Sequence, residues 1–293
     1  MGKSLSLSVD DLIGRPRNFK EDYSVGIAMV ATNNYLSRWF DTALSLEQSA
    51  FLGCKDIKIH LFTNRQQEAK NWASFNLKRI KLVVHQIDAW GWPEATLYRY
   101  QFIHDSSDAL TEEILMYLDS DMQIVQDFAN EVFESVWNEG LAVVQHPGYY
   151  RNSGIRGIYD YIANPKMFVK DKLYLLKGNA GLGAWEENKA SSGYVEPNKR
   201  RIYIHGAVWF GQRKQFLEMC KVLATNVSKD LEFGHIAKWH DESHLNWYYA
   251  NRRCTLLDVR FSWFKGFKNL RHIEPFICTV EKEKGEGREP TST

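Results

Sequence analysis

The sequence predicts an α/β domain with a mixed, mostly parallel central sheet flanked by helices. Strand-like and helix-like segments alternate through the first 145 residues, the pattern of a sheet wound with crossover helices. The longest apolar run, Val25 to Ala31, is strand length and lies near the start. Hydrophobic residues are 44% and charged residues 25%, a balance suited to a folded core and wrong for disorder. At 293 residues, with no internal repeat and no linker, one domain over 1–293 is expected.

The elements follow in order. Val25–Ala31 closes on Thr32-Asn33-Asn34, a strand running into a helix cap. From Tyr35 to Leu52, residues Leu36, Trp39, Phe40, Ala43 and Leu46 recur at helical spacing, with Gly53 as the stop. Ile57–Phe62 and Ile80–Ile87 read as strands, Ala95–Leu110 as a helix, and Ile114–Leu118 as a short buried strand entering Asp119-Ser120-Asp121. Leu141–Val144 is a further strand. Tyr149 to Arg201 is rich in Gly, Asn, Lys and aromatics with weak periodicity, and reads as a long irregular excursion. Ile202–Phe210 is a strand containing His205-Gly206-Ala207, whose small residues let another group approach the backbone. Phe216–Val227 is a helix, Trp239–Tyr249 holds the densest polar cluster, and the charged, Gly-rich 281–293 is expected to be a mobile tail.

Composition narrows the function. Lys plus Arg is 37 and Asp plus Glu 36, a net charge of +1, which argues against bulk electrostatic binding to nucleic acid. The 10 Trp, 14 Tyr and 16 Phe fit either a large core or a site that stacks flat ligands. Four scattered cysteines, none in a CxxC pair, read as thiols in a reducing compartment. No signal-peptide block and no apolar segment of the ~20 residues needed for a membrane span is present, so a soluble, cytoplasmic protein is expected.

Two clusters can carry chemistry. Asp119 and Asp121 flank a short Ser just past a strand, where two carboxylates can converge on a hard cation such as Mg²⁺ or Mn²⁺; an acidic turn is the plain alternative. In Trp239-His240-Asp241-Glu242-Ser243-His244-Leu245-Asn246, His240 and His244 are i, i+4, on one face of a helix. A zinc-protease helix needs Glu directly after the first His, and here Asp241 stands there. The acids suit either a polar pocket floor or a solvated helix start at the positive dipole end. His146-Pro147-Gly148-Tyr149-Tyr150 places a histidine and two aromatics at a strand exit.

Together these pieces resemble glycosyltransferase family 6, which includes the histo-blood-group A and B transferases and the α1,3-galactosyltransferase. The resemblance rests on WHDESHLN at 239–246, Asp119-Ser120-Asp121-Met122 as a DxD motif, and His146-Pro147-Gly148-Tyr149-Tyr150. It also rests on Tyr35, on Trp92, Thr96 and Arg99, and on Lys282 and Arg288. It spans about Tyr23 to Arg288. It implies a GT-A fold in one domain: a nucleotide-sugar half at about 23–145, an acceptor half at about 146–280, and the tail. It implies retaining transfer of galactose or N-acetylgalactosamine from a UDP-sugar to a glycan hydroxyl, in an α1,3 link.

The resemblance assigns roles residue by residue. Val30, Thr32 and Tyr35 would hold uridine. Asp119 and Asp121 would bind Mn²⁺ (or Mg²⁺), with Ser120 beside the ribose. Arg99 and Asp241 would contact the donor sugar, and His205 and Ala207 would discriminate its C2 substituent. His146, Thr96, Trp92 and Trp239 would face the acceptor, Lys282 and Arg288 the diphosphate, and Glu242 would be catalytic. A His followed two residues on by Ala resembles the galactose-using members and favours UDP-galactose. Both aspartates remain where many bacterial members carry NxN, and no membrane anchor is visible, so a soluble microbial or phage-type, metal-dependent member is expected. The segment 149–184 has no evident family counterpart. A non-catalytic carbohydrate-binding protein, or a sugar nucleotidyltransferase, is the alternative.

Overall fold

The computed structural model describes residues 23–280. Seven strands form one sheet in the order β3-β2-β1-β4-β7-β6-β8. They are β1 (Ser24–Val30), β2 (Asp56–Thr63), β3 (Lys81–Gln86), β4 (Ile114–Leu118), β6 (Leu141–Gln145), β7 (Ile204–Gln212) and β8 (Thr255–Leu257). β1, β2, β3 and β4 run parallel, β7 runs antiparallel to both β4 and β6, and β6 and β8 are parallel. The expected mixed, mostly parallel sheet is therefore present. β5 (Met122–Ile124) and β9 (Ile277–Thr279) form a separate two-stranded ribbon.

The period of two along each strand sorts side chains onto two buried faces. Val25, Ile27 and Met29 of β1 join one core cluster with Ile114, Met116 and Leu118 of β4. Ala28 joins the other with Leu115 and Tyr117. Helix α1 (Tyr35–Ser49) covers the first face with Leu36, Trp39, Ala43 and Leu46. Helix α8 (Arg213–Glu232) covers the second with Phe216, Met219, Leu223 and Val227. Most of the aromatic excess is explained here: Trp39, Trp185 and Trp209 are among the largest fully buried side chains.

The remaining helices are α2 (Gln66–Asn76), α3 (Glu94–Leu97), α4 (Arg99–Asp105), α5 (Ala129–Glu139), α6 (Gly154–Ala163), α7 (Pro165–Leu176) and α9 (His240–Asn251). Three differences from the sequence reading stand out. The helix expected over Ala95–Leu110 is two short ones broken at Tyr98, and it ends by Asp105. The excursion expected to be irregular over 149–201 carries α6 and α7; their apolar residues recur at helical spacing but face outward, so no core contact announces them. Helices α2 and α5 were not anticipated. α2 buries only Ala69 and Ala73, too small a stripe to stand out. α5 buries Val132, Phe133 and Val136 and stops at Gly140, whose φ of 76° is the left-handed stop a glycine provides.

Among the described residues the cysteines form no disulfide. No helix among them is long and apolar enough to cross a membrane. The tail at 281–293, with Lys282 and Arg288, lies outside the described residues.

Candidate active site

Ligands in open parallel sheets gather beyond the carboxyl ends of the strands. β1 and β4 are parallel neighbours, and Thr32 and Asp119 lie just past their carboxyl ends. β4 delivers Asp119, whose backbone N–H donates to the carbonyl of Ala207 on β7 at 2.9 Å. Asp119 Oδ1 accepts from the Tyr117 hydroxyl at 2.8 Å and lies 3.2 Å from Arg99 Nη1. The same guanidinium nitrogen lies 3.3 Å from Asp241 Oδ2 and donates to the Gly206 carbonyl at 3.1 Å. Arg99 Nε donates to the Thr96 carbonyl, and the guanidinium stacks on the Tyr117 ring at 4.6 Å. Buried at 3% exposure, Arg99 ties the β4 end, β7 and the start of α9 into one unit. Burial opposes its charge, but Asp119 and Asp241 more than offset that and raise its pKa.

Helix α9 supplies the acids. Asn246 pins it to β7: its Oδ1 accepts from Ile204 N–H and its Nδ2 donates to Ile204 O, both at 2.9 Å. That places Glu242 against Gly206, whose N–H donates to Glu242 Oε2 at 2.8 Å. A Cβ at 206 would stand 3.1 Å from Asp241 Oδ2 and 3.3 Å from Glu242 Cβ. The small residue therefore admits the chain's own carboxylates. Removal from water pushes Asp241 up to about 6; Arg99 opposes this and Asp119 adds to it. Removal from water pushes Glu242 up to about 8; the Gly206 N–H opposes this and Asp241 adds to it.

A histidine pair closes the far side. The His146 and His205 rings are 4.8 Å apart, edge to face. His146 Nδ1 accepts from Gly148 N–H at 3.0 Å, so the neutral ring carries its proton on Nε2. His205 Nδ1 is hydrogen-bonded to Ser262 Oγ. Burial lowers both pKa values, His146 to about 4. One ligand atom each from His146, His205 and Glu242 lies within 4.8 Å of the others.

The remaining sequence-chosen residues take varied positions. Val30 ends β1. Thr32 is buried, and its hydroxyl donates to the Trp90 carbonyl at 2.6 Å. Tyr35 opens α1 and is 37% exposed. Ser120 is buried, with its carbonyl accepting from Thr42 Oγ1 at 2.8 Å. Asp121 is partly exposed, and its carbonyl accepts from Val280 N–H at 3.0 Å, so the last described residue sits beside it. Thr96 Oγ1 donates to Pro93 O. The Trp92 ring lies 4.7 Å from His240. Trp239 is exposed and Ala207 buried.

His240 and His244 do not act as a pair. His240 starts α9 with φ of 46° and faces Trp92, whereas His244 is buried with Nε2 3.7 Å from Asp230. The sequence reading missed Tyr117, Asn246 and Ser262. Tyr117 was legible, because it precedes Asp119 by two and shares its strand face. Ser262 carried no sequence signal; it reaches His205 through the chain's return after β8.

Asp119 and Asp121 are the residues that would hold a divalent cation. Asp119 and Asp121 offer hard oxygen donors, Asp119 is partly exposed, and Arg99 and Tyr117 engage its Oδ1, leaving Oδ2. Two carboxylates are an incomplete set for Mn²⁺ or Mg²⁺, which suits a site completed by substrate oxygens.

The chain is similar in sequence to known glycosyltransferases. Residues 173–286 match the model of glycosyltransferase family 6. The chain is 24% identical over 264 residues to the O-antigen biosynthesis glycosyltransferase WbnI of Escherichia coli, covering 90% of this chain and 97% of that protein. It is 22% identical over 250 residues to histo-blood group ABO system transferase 1 of Rattus norvegicus, covering 83% of this chain and 62% of that one. It is 22% identical over 248 residues to globoside alpha-1,3-N-acetylgalactosaminyltransferase 1 of Gallus gallus, covering 82% and 62%. The matched region thus spans somewhat under two thirds of each of these vertebrate relatives.

Proposed function

We propose that this protein is a family 6 glycosyltransferase that moves galactose, or N-acetylgalactosamine, from a UDP-sugar to a glycan hydroxyl with retention, in an α1,3 link and with a divalent cation. The observation that carries this reading is the buried chain Asp119–Arg99–Asp241 with Glu242 beside it on the Gly206 N–H. It joins the carboxylate at the β4 end to the acid pair at the start of α9.

Transfer breaks the sugar–phosphate bond, building negative charge on the leaving diphosphate and positive charge on the anomeric carbon. Asp119 and Asp121 would hold the cation, Mn²⁺ or Mg²⁺, which would supply countercharge to the diphosphate. Lys282 and Arg288, outside the described residues, would add to it; Val280 beside Asp121 favours this reading. Val30, Thr32, Tyr35 and Ser120 would line the nucleotide. Arg99 and Asp241 would orient the sugar, with His205 and Ala207 facing its C2 position.

Glu242 would stabilise the anomeric charge, or attack it and form a covalent glycosyl-enzyme as retaining glycosidases do. Burial raises its pKa to about 8, so positive charge developing against it would favour its ionised form. His146 Nε2–H would donate to an acceptor oxygen, and Thr96, Trp92 and Trp239 would flank that acceptor.

The test needs no acceptor. UDP release is measured with a panel of UDP-sugars, with Mn²⁺ or with EDTA. Release from UDP-galactose or UDP-N-acetylgalactosamine, abolished by EDTA, is expected. No release from any sugar overturns the transfer reading, and release indifferent to EDTA overturns its metal requirement.

A further inference from the structure

Helices α6 and α7 form a hairpin whose apolar side chains point away from the protein. Ile155, Ile158 and Ile162 recur at i, i+3 and i+7 on α6, and are 73%, 60% and 68% exposed. Val169, Leu173 and Leu176 recur at i, i+4 and i+7 on α7, with Leu176 81% exposed. Helical spacing places each trio in one stripe. Folded proteins rarely leave contiguous apolar stripes in water unless something covers them.

The charges around these stripes are of one sign. Arg156, Lys166, Lys170, Lys172 and Lys177 are exposed. The hairpin's two acids are turned inward: Asp171 is buried and pairs with Arg151 at 2.6 Å, and Asp160 accepts from Asn152 at 2.7 Å. An apolar stripe rimmed by basic residues matches an anionic lipid surface, with the stripes among the acyl chains and the ammonium groups at the headgroups. A second copy of this chain fits poorly, because a two-fold interface would set the same basic rim against itself. Neither helix is long or apolar enough to span a bilayer, so the hairpin would lie on it.

We propose that the α6–α7 hairpin is an interfacial anchor that docks this protein on anionic phospholipid. The hairpin is fixed to the body at its root. Arg151 Nη1 donates to the carbonyls of Gly148 and Tyr150, and Asn152 Nδ2 to that of Asn269. Docking therefore holds the loop that follows His146 at a set orientation to the lipid surface. The inference stands on the hairpin's own residues and does not depend on the sugar donor.

The full chain is tested by co-sedimentation with phosphatidylcholine vesicles, with and without phosphatidylglycerol. Binding to the anionic vesicles, weak binding to the neutral ones, and release by high salt are expected. Lys170→Glu with Lys172→Glu should weaken binding more than tenfold, since each basic residue near an anionic surface counts for roughly fivefold. Ile158→Asp with Ile162→Asp should abolish it. Both variants change exposed side chains, so thermal melting and acceptor-free UDP release should match the parent. Absence of binding to anionic vesicles, or binding unchanged in both variants, overturns the proposal. So does a lipid-free dimer in sedimentation velocity that Ile158→Asp with Ile162→Asp dissolves, because the stripe would then be a self-association surface.

Discussion

Two glutamates face the interior of this protein, and their surroundings drive them in opposite directions. Glu112 is enclosed against β1 and β2, with Lys58 Nζ at 2.6 Å and His60 Nε2 at 3.0 Å. Burial disfavours its charge, but the hydrogen bonds from His60 and Lys58 outweigh that and hold it down at about 2. Around Glu242 burial outweighs the Gly206 N–H, Asp241 adds to it, Tyr203 and Arg99 oppose it more weakly, and the net effect drives it up to about 8. A carboxylate given its countercharges in advance is finished and holds strands together. One left short of them is available to a charge that arrives later. Burial alone does not mark a working residue; the missing partner does.

The largest effect that would break this contrast is on turnover. Glu242→Gln should lower UDP release by roughly 10²–10³-fold, the scale of losing one transition-state electrostatic contact, with circular dichroism unchanged. A near-normal rate would remove Glu242 from the chemistry. Glu112→Ala should do the reverse. It strands Lys58 and a buried His60, and urea melts should report a loss of about 3 kcal/mol while the rate per folded molecule stays near the parent's.

The pH dependence sharpens the contrast with a smaller effect. Glu112 has a depressed pKa, so its contribution is complete above about 4.5 and is lost as pH falls through about 2. Glu242 has a raised one, so its contribution is complete below about 4.5 and is lost as pH rises through about 8. Relative to the parent, ligand-free Glu242→Gln should therefore gain stability as pH rises from 5 to 8, the opposite slope of the buried histidines cancelling in the comparison. At pH 8 the variant should be more stable than the parent by about 1–2 kcal/mol. A difference between parent and variant that stays level across this range would show that Glu242 ionises freely.

The parallel half of the sheet was legible because β1, β2 and β4 are apolar runs bounded by polar residues, and burial on both faces leaves that mark. Ile114–Leu118 is read to the residue. The acids at 119–121 and 241–242 were legible as pairs, but the link between them was not. Arg99 joins Asp119 to Asp241 across long sequence separations, and no local pattern records such a contact. Helices α6 and α7 were missed for the opposite reason: their periodicity is real, but it serves a face with no core beneath it. His240 and His244 show the limit of spacing rules, since a positive φ at the first residue turns His240 out of line with the second.

The bare backbone at Gly206 also bears on how this protein can change over generations. A side chain there obliges Asp241 or Glu242 to give way by a few tenths of an ångström, and the N–H that meets Glu242 goes with it. Position 206 is thus a tight fit for any side chain, and the groups that must yield are the site's own acids. Residues 205 and 207 lie on either side of it and can be exchanged without disturbing that hydrogen bond. Diversification of this lineage should run through those two positions, and a descendant with a side chain at 206 must already have drawn back the start of α9.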